Sequence, residues 1–290
     1  MKRILALIIL FAALCGCAQK EETADIFAMD TIISLKVYGK NSPQAVSEMK
    51  NEILRIDERF SPDAEVLEDE EMMYLKDTAE KIASVTDSSF NIYMGEVMSV
   101  WGFFDKDYRV PEKARITAAL NTKKLDFGGI AKGYAGDRLK EIAQKEGIES
   151  GILTLGGNVV AIGKRPDGKP WKVGIANPEN PADYAGFVEV SDKSVVTSGG
   201  YQRYFESNGE IYHHIINPKT GYPAKSDLLS VTIIADEGII ADGLSTACFV
   251  LGCEKTMELY QSKKFDFEAV LIEDDGNIIT TDNIEFTGKE

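Results

Sequence analysis

With 290 residues, 44% of them hydrophobic, the chain is long enough to bury a sizeable core, and 47 acidic against 32 basic side chains give it a net charge of −15. That acidity argues against a nucleic-acid partner and against electrostatic adhesion to an anionic bilayer. The only two histidines, His213 and His214, are adjacent, which leaves no zinc-type ligand cluster.

The first element in chain order is a leader. Lys2 and Arg3 precede an apolar run, Ile4 to Leu14, that is shorter than the ~20 residues a spanning helix needs and reads as the core of a secretory signal. It ends in Leu14-Cys15-Gly16-Cys17, which resembles a bacterial lipobox; Cys17 would then be acylated and become the first mature residue. The sequence thus predicts a signal peptide over 1–16, a lipidated tether over 17–25 and one folded domain over 26–290, exported and lipid-anchored at the extracytoplasmic face of a bacterial membrane. Loss of Lys2 and Arg3 takes the net charge from −15 to −17, so acyl chains and not a basic patch would hold the protein to the membrane. Cys248 and Cys253 remain in the folded body. Five apart in an apolar, helical stretch, they point in different directions and read as core residues rather than a bridge.

Thr31 to Tyr38 alternates as a strand. Ser42-Pro43 predicts a helix start, with Ser42 as N-cap, Pro43 in the first turn and Val46, Met49, Ile53 and Ile56 on one face. Asp69 to Val85 carries a second helical pattern, and a short third leads into Trp101. Lys132 to Glu146 is amphipathic and stops at Gly147, a natural C-terminal cap. Short strands follow at Ile152 to Leu155, Val159 to Ile162, Lys172 to Ile175, Phe187 to Val190 and Val195 to Ser198, separated by Gly, Pro and Asp turns. Asn208-Gly209 is a hairpin signal between Tyr201 to Ser207 and Glu210 to Ile215. A strand from Leu229 to Ala235, a helix from about Ile240 to Lys263 and a hairpin turning at Asp275-Gly276 complete the order. Helices and strands mix without strict βαβ alternation, so the expected class is α+β rather than a doubly wound sheet.

Four segments carry chemistry. In LDFGGIAKGYAGD, Leu125 to Asp137, Gly128 and Gly129 let backbone amides approach a ligand, the helix that follows offers its positive end, and Lys132 adds a full charge, an arrangement suited to phosphate. A turn that merely packs tightly has the same composition. In ADGLST, Ala241 to Thr246, the i, i+3, i+4 spacing puts Asp242, Ser245 and Thr246 on one helix face; donors of oxygen only suit a hard cation such as magnesium, and read locally simple N-capping by Asp242 is the favoured alternative. In Tyr212 to Pro218, His213 and His214 face opposite sides of a strand, so only one addresses a given pocket, and a general acid or base working near neutrality would be one of them. Val196 to Gly200 offers hydroxyls and flexible backbone, which fits any loop.

Taken in order and spacing, Ala28-Met29-Asp30-Thr31, LDFGGIAKGYAGD at 125–137, Leu155-Gly156-Gly157-Asn158, VVTSGGYQRYF at 195–205, YHHIINPKTGYP at 212–223 and ADGLSTACFVLG at 241–252 resemble the FAD:protein FMN transferases, the ApbE family. The resemblance runs from about Ala28 to Phe286. It implies an α+β fold, a two-lobed single catalytic domain with a mixed or antiparallel sheet core and flanking helices. It implies magnesium-dependent splitting of the FAD pyrophosphate, transfer of the FMN half to a threonine hydroxyl of an acceptor protein, by analogy a subunit of a membrane redox protein, and release of AMP. Carried over by position, Gly129 through its carbonyl, Asp242, Ser245 and Thr246 would surround Mg2+. Met29, Phe60, Ser89, Phe90, Asn91, Asp126, Lys132 and Ile216 would line FAD, and His214 would be the base that deprotonates the threonine. Asp30 stands where the family commonly has glycine, Asn217 replaces its usual aspartate, and Glu58-Arg59-Phe60 lacks the customary serine before the aromatic position. Two rival functions share these residues: an exported FAD pyrophosphatase giving FMN and AMP, and a non-catalytic, lipid-anchored flavin-binding protein. Asp242 with Thr246 argues against the second, because a receptor needs no divalent cation beside a pyrophosphate.

Overall fold

The computed structural model describes residues 20–62 and 68–289. The expected signal segment 1–16, the acylation site Cys17 and residues 18 and 19 lie outside them. Of the expected tether, residues 21–25 belong to a strand instead. Glu21–Ala28 forms β1, paired antiparallel with β2, Thr31–Tyr38, across a turn in which Met29 and Asp30 both have positive φ, 53° and 59°. Every second residue of β1 is exposed, and an edge strand open on one face tolerates Glu21, Thr23 and Asp25 there. The ordered body therefore includes residues 21–25.

A helical run follows. In α1, Ser42–Arg59, Asn41 and not Ser42 occupies the cap position; Ser42 lies inside the first turn, buried, and its Oγ donates to the Lys20 carbonyl at 3.2 Å. α2, Glu70–Val85, starts at Asp69, whose carboxylate accepts the Met72 N–H at 2.9 Å. α3, Gly95–Trp101, ends on left-handed Gly102, and α5, Ala131–Lys145, ends just before Gly147, with φ of 68°. Between them α4, Lys113–Leu120, has no counterpart among the sequence expectations; it buries only Ile116 and Ala119, too few positions to show a period.

The strands β3, Ser150–Leu155, β4, Asn158–Gly163, β5, Trp171–Asn177, β6, Asn180–Val190, and β7, Ser194–Gly199, come next. β8, Tyr204–Ser207, and β9, Glu210–His213, form the hairpin around Asn208-Gly209. After β10, Leu228–Ala235, the expected single helix is two, α6, Gly238–Leu251, and α7, Cys253–Gln261. They divide at Gly252, whose φ of 84° and ψ of 177° no helix continues, and the Asp227 carboxylate accepts the Cys253 N–H at 3.0 Å to begin the second. β11, Glu268–Glu273, β12, Ile278–Thr280, and β13, Phe286–Gly288, close the chain. Cys248 and Cys253 are buried and unbridged, as expected.

Eight strands build one sheet in the order β1-β2-β3-β4-β7-β10-β11-β12, every neighbouring pair antiparallel. One face carries the main core, where Ile33, Leu35 and Leu153 of the sheet meet Met49 and Ile53 of α1, Leu139 of α5 and Leu244 of α6. The other face packs on a three-stranded sheet, β13-β6-β5, through Trp171, Val188, Ile234 and Val270. A smaller apolar body joins α3 and α4 to Ile216 around Trp101, whose Nε1 donates to the Gly221 carbonyl at 2.8 Å. The class is α+β, an antiparallel sheet core with flanking helices. Among the described residues no helix is long and apolar enough to cross a membrane.

Candidate functional site

The site grows from the crossing of α5 and α6. Asp242 on α6 accepts the Gly133 N–H of α5 at 2.7 Å, satisfying a first-turn donor that α5 cannot satisfy itself. In return, Asp137 on α5 accepts the Gly238 and Ile239 N–H groups of α6, at 2.5 and 2.8 Å. The two helices cap each other. Asp242 is thus a cap, but of the neighbouring helix and not of its own. A side chain at Gly133 cannot be fitted: its Cβ would stand 2.2 Å from the Gly238 carbonyl oxygen and 2.6 Å from the Asp242 Cβ. Gly133→Ala is therefore expected to lower Tm by roughly 2–10 °C, the consequence of ~1–3 kcal/mol of overpacking. An unchanged melting curve would contradict so close a crossing.

Around Asp242 the donors are oxygens. Its Oδ2 holds Gly133, and Oδ1 has no hydrogen-bond partner among the described residues. Ser245, fully buried, donates to the Asp242 carbonyl at 2.8 Å and lies 2.8 Å from the Ser198 hydroxyl of β7, which is itself 3.4 Å from the Thr246 hydroxyl. A Cβ at Gly129 would sit 3.6 Å from Thr246 Oγ1 and 3.0 Å from Phe90 Cε2, so the paired-glycine turn, the Phe90 ring and the α6 hydroxyl converge. Among the described residues no group of three His, Cys, Asp or Glu exists, so a cation here would rely on one carboxylate with hydroxyl and main-chain oxygens. Ser198 joins the site from β7 without being among the expected site residues; the sequence places it at the end of the strand Val195 to Ser198 and inside VVTSGGYQRYF, and no local spacing ties it to Ser245.

The turn itself is tied down by Asp126. Its carboxylate accepts the Gly128 N–H at 2.9 Å and its own N–H donates to Ile92 at 2.7 Å, which fastens the turn to the segment holding Ser89, Phe90 and Asn91. Burial raises the Asp126 carboxyl above the usual carboxylate range, against the pull of the Gly128 N–H and of Lys132, Arg203 and Lys124. Lys132 donates to the Gly128 carbonyl at 3.2 Å. Phe60, buried after α1, sets its ring edge-on to Phe127 at 5.2 Å and to Tyr134 at 6.0 Å, beside the same turn.

The histidines face apart, as expected. His213 Nε2 lies 3.1 Å from the Ala224 carbonyl and its ring meets Phe249 edge-on. His214 contacts the Arg203 carbonyl through both its N–H and Nδ1, each at 3.1 Å. A carbonyl only accepts, so Nδ1 carries the proton and Nε2 is left as the basic nitrogen. Burial, reinforced by the charges of Arg203 and Lys132, drives the His214 pKa down to about 3, although the Arg203 carbonyl opposes it. The folded value lies below the ordinary 6.5, so the native state binds fewer protons than the unfolded one between pH 6.5 and about 3, and the stability this group contributes falls as pH drops through that window. His214→Gln is expected to flatten the acid limb of Tm against pH; an identical limb would contradict a buried neutral imidazole.

Phe60, Phe90, Asp126, Gly129, Lys132, Asp242, Ser245 and Thr246 are thus joined by direct contacts or through Phe127, Gly128 and Gly133, and His214 shares the charge environment of Lys132 and Asp126. Met29, Ser89, Asn91 and Ile216 make no hydrogen bond or ring contact with that group among the described residues. Met29 donates its N–H to Asp57 at 2.8 Å, Ser89 to the Thr86 carbonyl, Asn91 accepts from the Tyr93 N–H, and Ile216 is buried in the Trp101 body. Of the departures, exposed Asp30 pairs with Lys106 at 3.4 Å, and Asn217 Oδ1 accepts the Lys219 N–H at 2.9 Å, a turn bond an amide makes as well as a carboxylate. A cleft of about 410 Å³ lined by Tyr184, Leu229, Ile272 and Lys289 is separate from this site and lies against the three-stranded sheet.

Known proteins resemble this chain in sequence and fold. A protein named FAD:protein FMN transferase from Klebsiella pneumoniae is 32% identical over 223 residues, which cover 69% of this chain and 68% of that one. Among solved structures, the ApbE protein of Thermotoga maritima superposes with a TM-score of 0.83 at 30% identity, over 90% of this chain and 97% of that one. The flavinyl transferase ApbE of Pseudomonas stutzeri, in its apo form, gives 0.76 at 25% identity, over 94% and 96%. Residues 29–271 match the ApbE family itself, a span that takes in Met29, the turn fastened by Asp126, the helix crossing closed by Asp242 and both histidines, and the chain belongs to that family.

Proposed function

We propose that the protein transfers FMN from FAD to a threonine hydroxyl of an acceptor protein and releases AMP. The observation that carries this reading is the meeting of the paired-glycine turn and α5 with α6: the Lys132 charge, the Asp242 carboxylate and the Thr246 hydroxyl stand at one helix crossing, which suits a dinucleotide diphosphate and its counter-cation. The names of the relatives support the same activity.

The oxygen donors fit a hard cation, and the Asp242 carboxylate, the Ser245 and Thr246 hydroxyls and the Gly129 carbonyl would hold Mg2+. When bound, Mg2+ supplies neutralisation of charge on the pyrophosphate oxygens. The chain's own residues do the rest. Lys132 draws the phosphates to the turn, which the buried rings of Phe60 and Phe90 back. His214 Nε2 takes the proton of the incoming threonine; the threonine oxygen bonds to the flavin-side phosphorus, the anhydride P–O bond breaks, and its electron pair leaves on AMP. The imidazole is neutral at pH 7, so its Nε2 lone pair is free, and the negative charge of bound phosphates beside Arg203 and Lys132 would raise the proton affinity that burial and those cations hold low.

Export and acylation at Cys17 belong to the same proposal. Since β1 begins at Glu21, four Cα steps, ~15 Å at most, would separate the lipid from the sheet edge and hold the body close to the membrane, where a membrane redox subunit presents its threonine. The test is AMP release from FAD and Mg2+ with and without a threonine-containing acceptor peptide. Acceleration by the peptide is expected. Equal release without it would make the protein a pyrophosphatase, and no release would make it a flavin binder.

A further inference from the structure

Arg203 lies between the Gly199-Gly200 bend and β8, and its main chain already serves the site through the two bonds from His214. Its side chain turns inward, with Cζ 5.7 Å from the centroid of the Phe103 ring. The terminal Nη2 is buried and has no hydrogen-bond partner among the described residues. A guanidinium stays charged at any ordinary pH, so a cationic donor is held out of water without an acceptor, a costly arrangement in a chain with 47 carboxylates to choose from. Lys132, the other cation that acts on both Asp126 and His214, gives one N–H to the Gly128 carbonyl and keeps two for a ligand, so the two cations flank the same turn. The acceptor for Arg203 is therefore supplied from outside the chain. The planar fork of a guanidinium matches phosphate oxygens, and its position beside His214 selects the phosphate where the threonine must attack.

We infer that Arg203 is a phosphate-binding residue that grips the flavin-side phosphoryl group, the one retained in the product. The inference rests on FAD being the substrate. It separates from that reading by experiment, because FMN carries this phosphate and riboflavin does not. Equilibrium binding of FMN and of riboflavin is measured by flavin fluorescence with the parental protein, Arg203→Gln and Arg203→Lys. Arg203→Gln is expected to weaken FMN roughly 10- to 100-fold, the worth of a charge-assisted hydrogen bond, and to leave riboflavin unchanged. Arg203→Lys keeps the charge and the apolar stem over Phe103 but loses the fork, and should fall between; it also stands in should the glutamine variant not fold. Unchanged FMN affinity, or equal loss for FMN and riboflavin, would overturn the assignment. A parental protein that binds neither flavin would overturn the substrate reading itself.

Discussion

Asp242→Ala is expected to abolish magnesium-dependent release of AMP from FAD, a fall of roughly 10³-fold or more, since a bound cation contributes several kcal/mol to a phosphoryl-transfer transition state. Two losses coincide in this variant. The open oxygen that would hold the cation disappears, and the buried Gly133 N–H loses its acceptor, which costs about 1–3 kcal/mol of stability. Asp242→Asn separates them: its amide oxygen still accepts from Gly133, so Tm should stay near the parental value while turnover remains low and demands more Mg2+. Parental turnover in the asparagine variant at ordinary Mg2+ would remove Asp242 from the cation site.

His214→Ala should leave FAD bound and reduce flavin transfer by about 10²–10⁴-fold, the usual worth of a positioned base. The main-chain bond from residue 214 to the Arg203 carbonyl does not depend on the imidazole, so the strand end keeps its place and the loss is one of proton transfer. The measurement is the single-turnover rate of acceptor labelling beside the FAD affinity. Labelling at the parental rate would mean that another group deprotonates the threonine.

The part of this site written in contiguous residues was legible in the sequence. Gly128, Gly129 and Lys132 sit in one turn, and Asp242, Ser245 and Thr246 on one helix face, because short spacings translate directly into shared surfaces. What joins them was not legible. The bonds from Gly133 to Asp242 and from Gly238 and Ile239 to Asp137 span 109, 101 and 102 residues, and no local pattern announces them. The same holds for Ser198, which reaches Ser245 from another element, and for the buried end of Arg203.

In the fold, strands with one buried face declared themselves by alternation, whereas β1 did not, since its edge position lets Glu21, Thr23 and Asp25 stand where a central strand would need apolar residues. The break at Gly252 was hidden because the apolar helical pattern continues across it; what ends α6 is the non-helical Gly252 backbone, fixed where the Asp227 carboxylate accepts the Cys253 N–H, a tertiary fact. Ser42 looks like a cap by composition, and the Lys20 carbonyl engages its hydroxyl instead.

The central claim is that FMN ends on a protein hydroxyl. It is tested most directly by incubating the purified protein with FAD, Mg2+ and a threonine-containing acceptor peptide and weighing the peptide by mass spectrometry. The account predicts a gain of one FMN unit, lost when the threonine is replaced by alanine. A peptide of unchanged mass, with free FMN accumulating in solution, would contradict it.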